Sequence, residues 1–208
     1  MSRSDDAPLS GQSTQGGQLG ARRDNWSCRG RRARGAAAAL VPVGVVVLVL
    51  GTAALGATRP QMRTQAGLDR SLLRQINALR ASHGLRPLRL SRGLQAAASA
   101  HSCEMAADGY FDHPSADGAA FWQRVRRFYG TRRYRVWVVG ENLMWGSPGL
   151  SGRTVLDAWL QSPEHRANLL SPDWREIGIA AEHVARGPGL YRARPTTIVT
   201  ADFGARTR

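Results

Sequence analysis

His113, Glu141 and His165 are the side chains whose types and settings offer the most chemistry in this chain. A neutral imidazole can ligate a metal or move a proton, and a carboxylate beside it can orient the ring or act as a base toward water. Two imidazoles and a carboxylate can also hold Zn²⁺ while leaving a coordination position open, where Lewis-acid or hydrolytic chemistry would occur. Each residue has a plainer role as well. Glu141, in Gly140-Glu141-Asn142-Leu143, can accept backbone N–H bonds and shape a turn. His113, followed by Pro114, can end a helix by bonding a last carbonyl. His165 stands near a helix start, where positive charge is disfavoured, so it stays neutral; neutrality suits a ligand and a packing residue alike.

Other catalytic templates are missing from the sequence. HExxH is absent, the segments GSPG and GLSG do not make a nucleophile elbow, and no glycine-rich loop carries a Walker lysine, because the chain has no lysine.

The elements that must bring the three residues together can be read from periodicity. Leu72, Leu73, Ile76 and Leu79 form a helical stripe, with Asp69 as its expected cap and Gly84 just past its end. Ser91 is placed to cap a second helix whose inward face carries Leu94, Ala97, Ala98, His101 and Met105, stopping near Gly109. His101 on that apolar stripe reads as a satisfied core histidine. Phe121, Trp122, Val125 and Phe128 give a third helix, and Val136 to Val139 a short strand that delivers the GENL turn. Ser151 can cap a helix carrying Val155, Leu156 and Trp159. Ser162 can cap the next, with Pro163 at its first position and His165 in its first turn. Residues 176–184 and 196–203 read as strands separated by a Gly/Pro/Arg loop. Helices first and strands later argue for an α+β fold.

The chain has 208 residues, 42% hydrophobic, enough for one sizeable core. Its net charge of +14 would suit a phosphate-binding surface, but the basic residues are all arginine, which looks like coding bias, and nucleic acid is not an expected partner. Residues 1–35, rich in Ser, Gln, Gly and Arg, are expected to be a disordered basic tail. From Ala36 to Ala57 the chain is uncharged and long enough to span a bilayer. Arginines crowd its N-terminal flank, so the positive-inside rule keeps that end cytoplasmic and places the rest outside the cell. A cleaved signal peptide, with the domain then secreted, is the alternative. Residues 58–67 read as a linker, 68–204 as the folded domain and 205–208 as a tail. Cys28 and Cys103 fall on opposite sides of the apolar run, so no bridge between them is expected. Cys103 reads as a small buried helix residue.

The run ASAHSCEMAADGYFDH, the GENL turn, the helix ending AWLQSPEHRANLL, the strand EIGIA and the final TADF together resemble the bacterial, disulfide-poor branch of the CAP superfamily. That superfamily comprises the cysteine-rich secretory proteins, insect-venom antigens and plant pathogenesis-related proteins. The resemblance covers residues 68–204. It implies an α-β-α sandwich with a central antiparallel sheet and a cleft lined by two histidines, here His113 and His165, and acids, the first being Glu141. The family's second glutamate falls on Ser162, so Asp157 or Glu164 would have to substitute.

The resulting expectation is a membrane-anchored, extracytoplasmic CAP (SCP-like) domain. It would bind an envelope ligand, either a lipid or an anionic wall polymer, in or near a cleft where His113 and His165 could hold a divalent metal such as Zn²⁺. The cluster Arg124, Arg126, Arg127, Arg132, Arg133 and Arg135 reads as an exposed basic face that could meet phosphate groups. The alternative is a metal-dependent hydrolase or protease in which Glu141 serves as general base.

Overall fold

A computed structural model describes residues 61–208. The apolar run from Ala36 to Ala57, the basic tail and residues 58–60 lie outside the described residues, while the rest of the expected linker is folded; among the described residues no helix is long and apolar enough to cross a membrane. The described elements run β1 (Met62–Thr64), α1 (Ala66–Ser82), β2 (Arg89–Leu90), α2 (Arg92–Asp108), α3 (Phe121–Phe128), β3 (Val136–Gly146), α4 (Gly152–Gln161), α5 (Pro163–Leu170), β4 (Glu176–Val184) and β5 (Thr196–Thr207).

The sheet has the order β1-β4-β5-β3. Its long pairings are antiparallel, and the short β2 lies parallel to the start of β4. Strand side chains alternate between faces. Ile177, Ile179, Ala181, Val199, Ala201 and Phe203 therefore point one way, into a core shared with α1, α4 and α5. The other face meets α2, which packs along β4 and β5, with α3 beside it. This is an α+β fold with helices on both sides of the sheet.

Local choices explain the layering. Leu94, Ala97, Ala98, His101 and Met105 are fully buried, as their spacing predicts. Small residues bring α2 very close to the sheet: a Cβ on Gly178 would stand 2.0 Å from the backbone of Leu94 and Gln95, so only glycine fits there. The helix ends at Gly109, where it is expected to stop, and the φ of 74° and the bond from the Gly109 N–H to the Met105 carbonyl form a left-handed cap.

Several sequence expectations need correction. Asp69 is not a cap: α1 begins three residues earlier, and the buried Asp69 accepts a bond from the Ala181 N–H at 2.8 Å, fastening α1 to β4. The GENL segment is not a turn but the middle of β3, an 11-residue strand held to β5 along its whole length. The β-propensity of Val136–Val139 did not foretell that pairing with β5 carries the strand through Gly140 and Asn142. Ser151 caps α4 as expected, accepting from the Thr154 N–H. Ser91 and Ser162 occupy cap positions without making a side-chain cap bond. Cys103 is half-buried on α2 and is engaged in a disulfide.

Candidate functional site

β3 is an edge strand, and its alternation sends Glu141 and Leu143 toward α2 and α3 and Asn142 toward α5. Its outward carbonyls are closed off by side chains, which keeps the edge from pairing with another strand. Trp159 Nε1 donates to the Leu143 carbonyl at 2.9 Å, and Asn168 Nδ2 to the Glu141 carbonyl at 3.2 Å. Asn142 donates to the His165 carbonyl at 3.1 Å and accepts from Asn168 at 2.8 Å. The GENL asparagine thus ties α5, and with it His165, to the strand that carries Glu141.

The loop between α2 and α3 delivers His113. His113 Nδ1 meets Glu141 Oε1 at 2.8 Å, while the second carboxylate oxygen pairs with Arg124 of α3. Arg124 also donates to the His113 carbonyl at 3.2 Å and to Ser115 Oγ at 2.9 Å. Because Nδ1 faces a carboxylate, it carries the ring hydrogen, leaving Nε2 as the nitrogen able to engage a ligand or a proton. The Glu141 side chain is 1% exposed and the His113 side chain 15%, so the carboxylate is sealed beneath a ring that reaches solvent. Burial alone would raise the Glu141 pKa. The charge of Arg124, followed by His101 and the bond to His113, overcomes that and holds it down to about 2.

The His113 loop is fastened from below. His101 Nε2 donates to the Asp112 carbonyl at 2.9 Å, the Tyr110 hydroxyl donates to Glu104 at 2.7 Å, and the Tyr191 hydroxyl donates to the Tyr110 carbonyl at 2.6 Å. His101 therefore fills the satisfied core role expected of it. His165 is buried, its ring 6.4 Å from that of Trp159 between centroids. Burial, then the positive charge available to His113, lowers its pKa to about 4, so it is neutral at physiological pH.

Arg124 is the main departure from the sequence reading: it belongs to this buried pair and not to an exposed basic face. The sequence signal was present, since Phe121, Arg124, Val125 and Phe128 follow the spacing of one helix face. Asp202 was also missed. It is fully buried on β5, directly opposite Glu141 across the β3–β5 pairing. Neither substitute for the second acid joins the His113–Glu141–Arg124 chain: Asp157 pairs with Arg153 at 2.7 Å on the exposed side of α4, and Glu164 is exposed.

As donors for a divalent metal the site offers two imidazoles. Glu141 does not fit as a third ligand, because both of its oxygens are engaged and Arg124 brings a fixed positive charge beside it. Among the described residues no group of three or more His, Cys, Asp or Glu side chains is placed to hold an ion. Sealed and doubly bonded, Glu141 orients His113 and does not stand ready as a base toward water.

A helix-covered sheet with a His–Glu pair at its edge defines the class of protein. The family model described as "CAP: Cysteine-rich secretory protein family" matches residues 73–203, and the chain belongs to that family. Among relatives from Bacillus subtilis (strain 168), it is 30% identical over 111 residues to "Uncharacterized protein YkwD", spanning 53% of this chain and 41% of that one. It is 25% identical over 120 residues to "Uncharacterized membrane protein YlbC", spanning 58% and 33%. The chain thus spans well under half the length of either relative. In fold it is similar to an outer surface protein from Borrelia burgdorferi (TM-score 0.56, 20% identity, 71% of this chain and 99% of that chain). It is also similar in fold to an extracellular SCP-domain protein from Bacillus anthracis str. Ames (TM-score 0.52, 24% identity, 69% and 41%).

Proposed function

We propose that this protein is an extracytoplasmic CAP domain, held at the cell membrane through the apolar run from Ala36 to Ala57, that binds an envelope ligand at the cleft of His113 and His165. The observation that carries the reading is the layered His113–Glu141–Arg124 chain, in which a partly exposed imidazole stands on a fully sealed ion pair. Such a ring is fixed in direction and tautomer and offers Nε2 outward to a hydroxyl or to an anionic group, as found in lipid headgroups and wall polymers. The resemblance of the fold to extracellular and outer-surface proteins, and the membrane-protein name of one relative, support placing the domain outside the cell.

The test is binding of the full chain to anionic phospholipid vesicles and, separately, to isolated wall polymer, compared with a His113→Ala/His165→Ala variant. The reading expects one of the two to bind and the variant to lose about tenfold in affinity, equivalent to about 1.4 kcal/mol. Equal binding by both proteins would refute it. Elemental analysis of the same two preparations decides the metal question. Stoichiometric zinc in the wild type and none in the variant would establish a two-histidine Zn²⁺ site and reopen the hydrolase alternative.

A further inference from the structure

Asp202 is the one acid in this region for which the His113–Glu141–Arg124 chain provides no partner. It is fully buried on β5, with Glu141 opposite it on β3 and Gly178 opposite it on β4. Cross-strand partners on one face stand about 5 Å apart at Cβ, so the two buried carboxyl groups are neighbours on the α2 side of the sheet. No N–H or O–H donor among the described residues reaches either Asp202 oxygen. Thr200, two residues away on the same face, is engaged with Ser102 at 2.8 Å. Arg124 directs its terminal nitrogens to Glu141, the His113 carbonyl and Ser115.

Two carboxylates side by side and away from water do not both ionise when one cation serves them. A buried carboxylate with no donor would be an uncompensated charge, whereas a carboxylic acid supplies its own donor and needs only an acceptor. Glu141 is such an acceptor, with lone pairs to spare beyond its bonds to His113 and Arg124. We propose that Asp202 is the second acid of the His113–Glu141 site, a neutral carboxylic acid whose hydrogen is directed to Glu141, so that the pair carries one negative charge matched by Arg124. Burial, then the charge of Glu141, pushes the Asp202 carboxyl well above the usual carboxylate range, opposed by Arg124. The titratable groups acting on Asp202 are thus Glu141 from β3 and Arg124 from α3; α2 adds His101, which acts on Glu141, and β4 contributes Gly178, against which the α2 backbone at Leu94 and Gln95 packs.

The consequence falls on His113. With Asp202 neutral, the ring works above a balanced Glu141–Arg124 pair; with Asp202 ionised, it would work above a net negative charge that favours its cationic form. The inference rests on taking His113–Glu141 as the functional site, but its test does not depend on finding a ligand.

The experiment is infrared spectroscopy of the full chain carrying ¹³C at its aspartate carboxyl carbons, about two pH units above 7, where Asp69, pushed up to about 7, has ionised. A protonated-carboxyl band that shows the isotope shift is expected, lost in Asp202→Asn and kept in Asp69→Asn. Absence of that band in the labelled wild type, or its survival in Asp202→Asn, overturns the proposal, and the wild-type spectrum alone decides should the variant fail to fold. The competing state is an ionised Asp202 paired with Arg124 Nε, a nitrogen that has no partner here. The same labelled spectrum separates the two. An ionised Asp202 gives no isotope-shifted protonated-carboxyl band, whereas a neutral one gives it and loses it in Asp202→Asn. Ligand binding unaffected by loss of both histidines, with Asp202 still protonated, would refute the functional reading and spare the acid pair; an ionised Asp202 with histidine-dependent binding intact would do the reverse.

Discussion

Arg80 and Arg124 are both buried arginines, one on each side of the sheet, and they are held in different ways. On the α1–α4–α5 side, Arg80 donates only to backbone carbonyls, those of Arg86 at 2.9 Å, Leu169 at 2.8 Å and Ser171 at 2.9 Å. It joins three stretches of chain around an otherwise hydrocarbon core. On the α2–α3 side, Arg124 is paired with a buried carboxylate that in turn holds an imidazole at the surface. The first arrangement needs a donor; the second needs a charge. That difference marks the α2–α3 side as the one where ionisation states matter to what the protein does.

Replacing each arginine by Met should separate the two roles. Arg124→Met strips a buried carboxylate of its cation and should cost about 3–5 kcal/mol in denaturant unfolding. Arg80→Met leaves carbonyls short of donors and should cost less, about 1–3 kcal/mol. Equal losses would break the comparison.

His165 and Asp69 extend the contrast to pH. The His165 pKa is lowered to about 4 by burial and by His113, so the unfolded chain binds its proton more readily. Stability should therefore fall as pH drops from about 6.5 to about 4, by up to about 3 kcal/mol, and His165→Gln should flatten that limb of the profile. Asp69 behaves oppositely. Burial raises it to about 7, opposed by its bond from Ala181 and abetted by the charge of Glu182. The folded state binds that proton more tightly, so the stability it confers fades as pH rises through about 7. Asp69→Asn, which can still accept from Ala181, should gain about 1–2 kcal/mol at pH values above about 8, read from thermal or denaturant melts.

The smallest expected effect on stability concerns the exposed remainder of the basic cluster. Arg132, Arg133 and Arg135 are exposed and form no carboxylate pair among the described residues. Reversing all three to Glu should leave stability within about 0.5 kcal/mol. If the anionic ligand also touches this face, binding to phosphatidylglycerol vesicles or wall polymer should weaken, most at low salt. Unchanged binding would confine recognition to the cleft.

The sequence made the helices legible because their apolar residues repeat at helical spacing and their caps and stops are local. It also placed His113, Glu141 and His165 within recognisable motifs. What it hid was set by tertiary contacts. Asp69 looks like a cap because its type favours one, yet a bond to β4 decides its role. Gly140 and Asn142 look like turn residues, yet pairing with β5 draws them into a strand. Asp202 falls on the strand face opposite Val199, Ala201 and Phe203, an alternation that reads as solvent-facing until α2 covers it. Arg124 was hidden by its company, since Arg127, Arg132, Arg133 and Arg135 are exposed while it follows the apolar stripe inward.

The most direct test of a shared cleft is to follow the histidine ring signals of the full chain by two-bond ¹H–¹⁵N NMR while anionic vesicles or wall polymer are added. The account predicts that His113 and His165 shift together along one saturation curve, that His113 starts from the tautomer with hydrogen on Nδ1, and that His83 and His183 stay in place. Binding that leaves the His113 and His165 signals unmoved, or that moves only one of the pair, would contradict it.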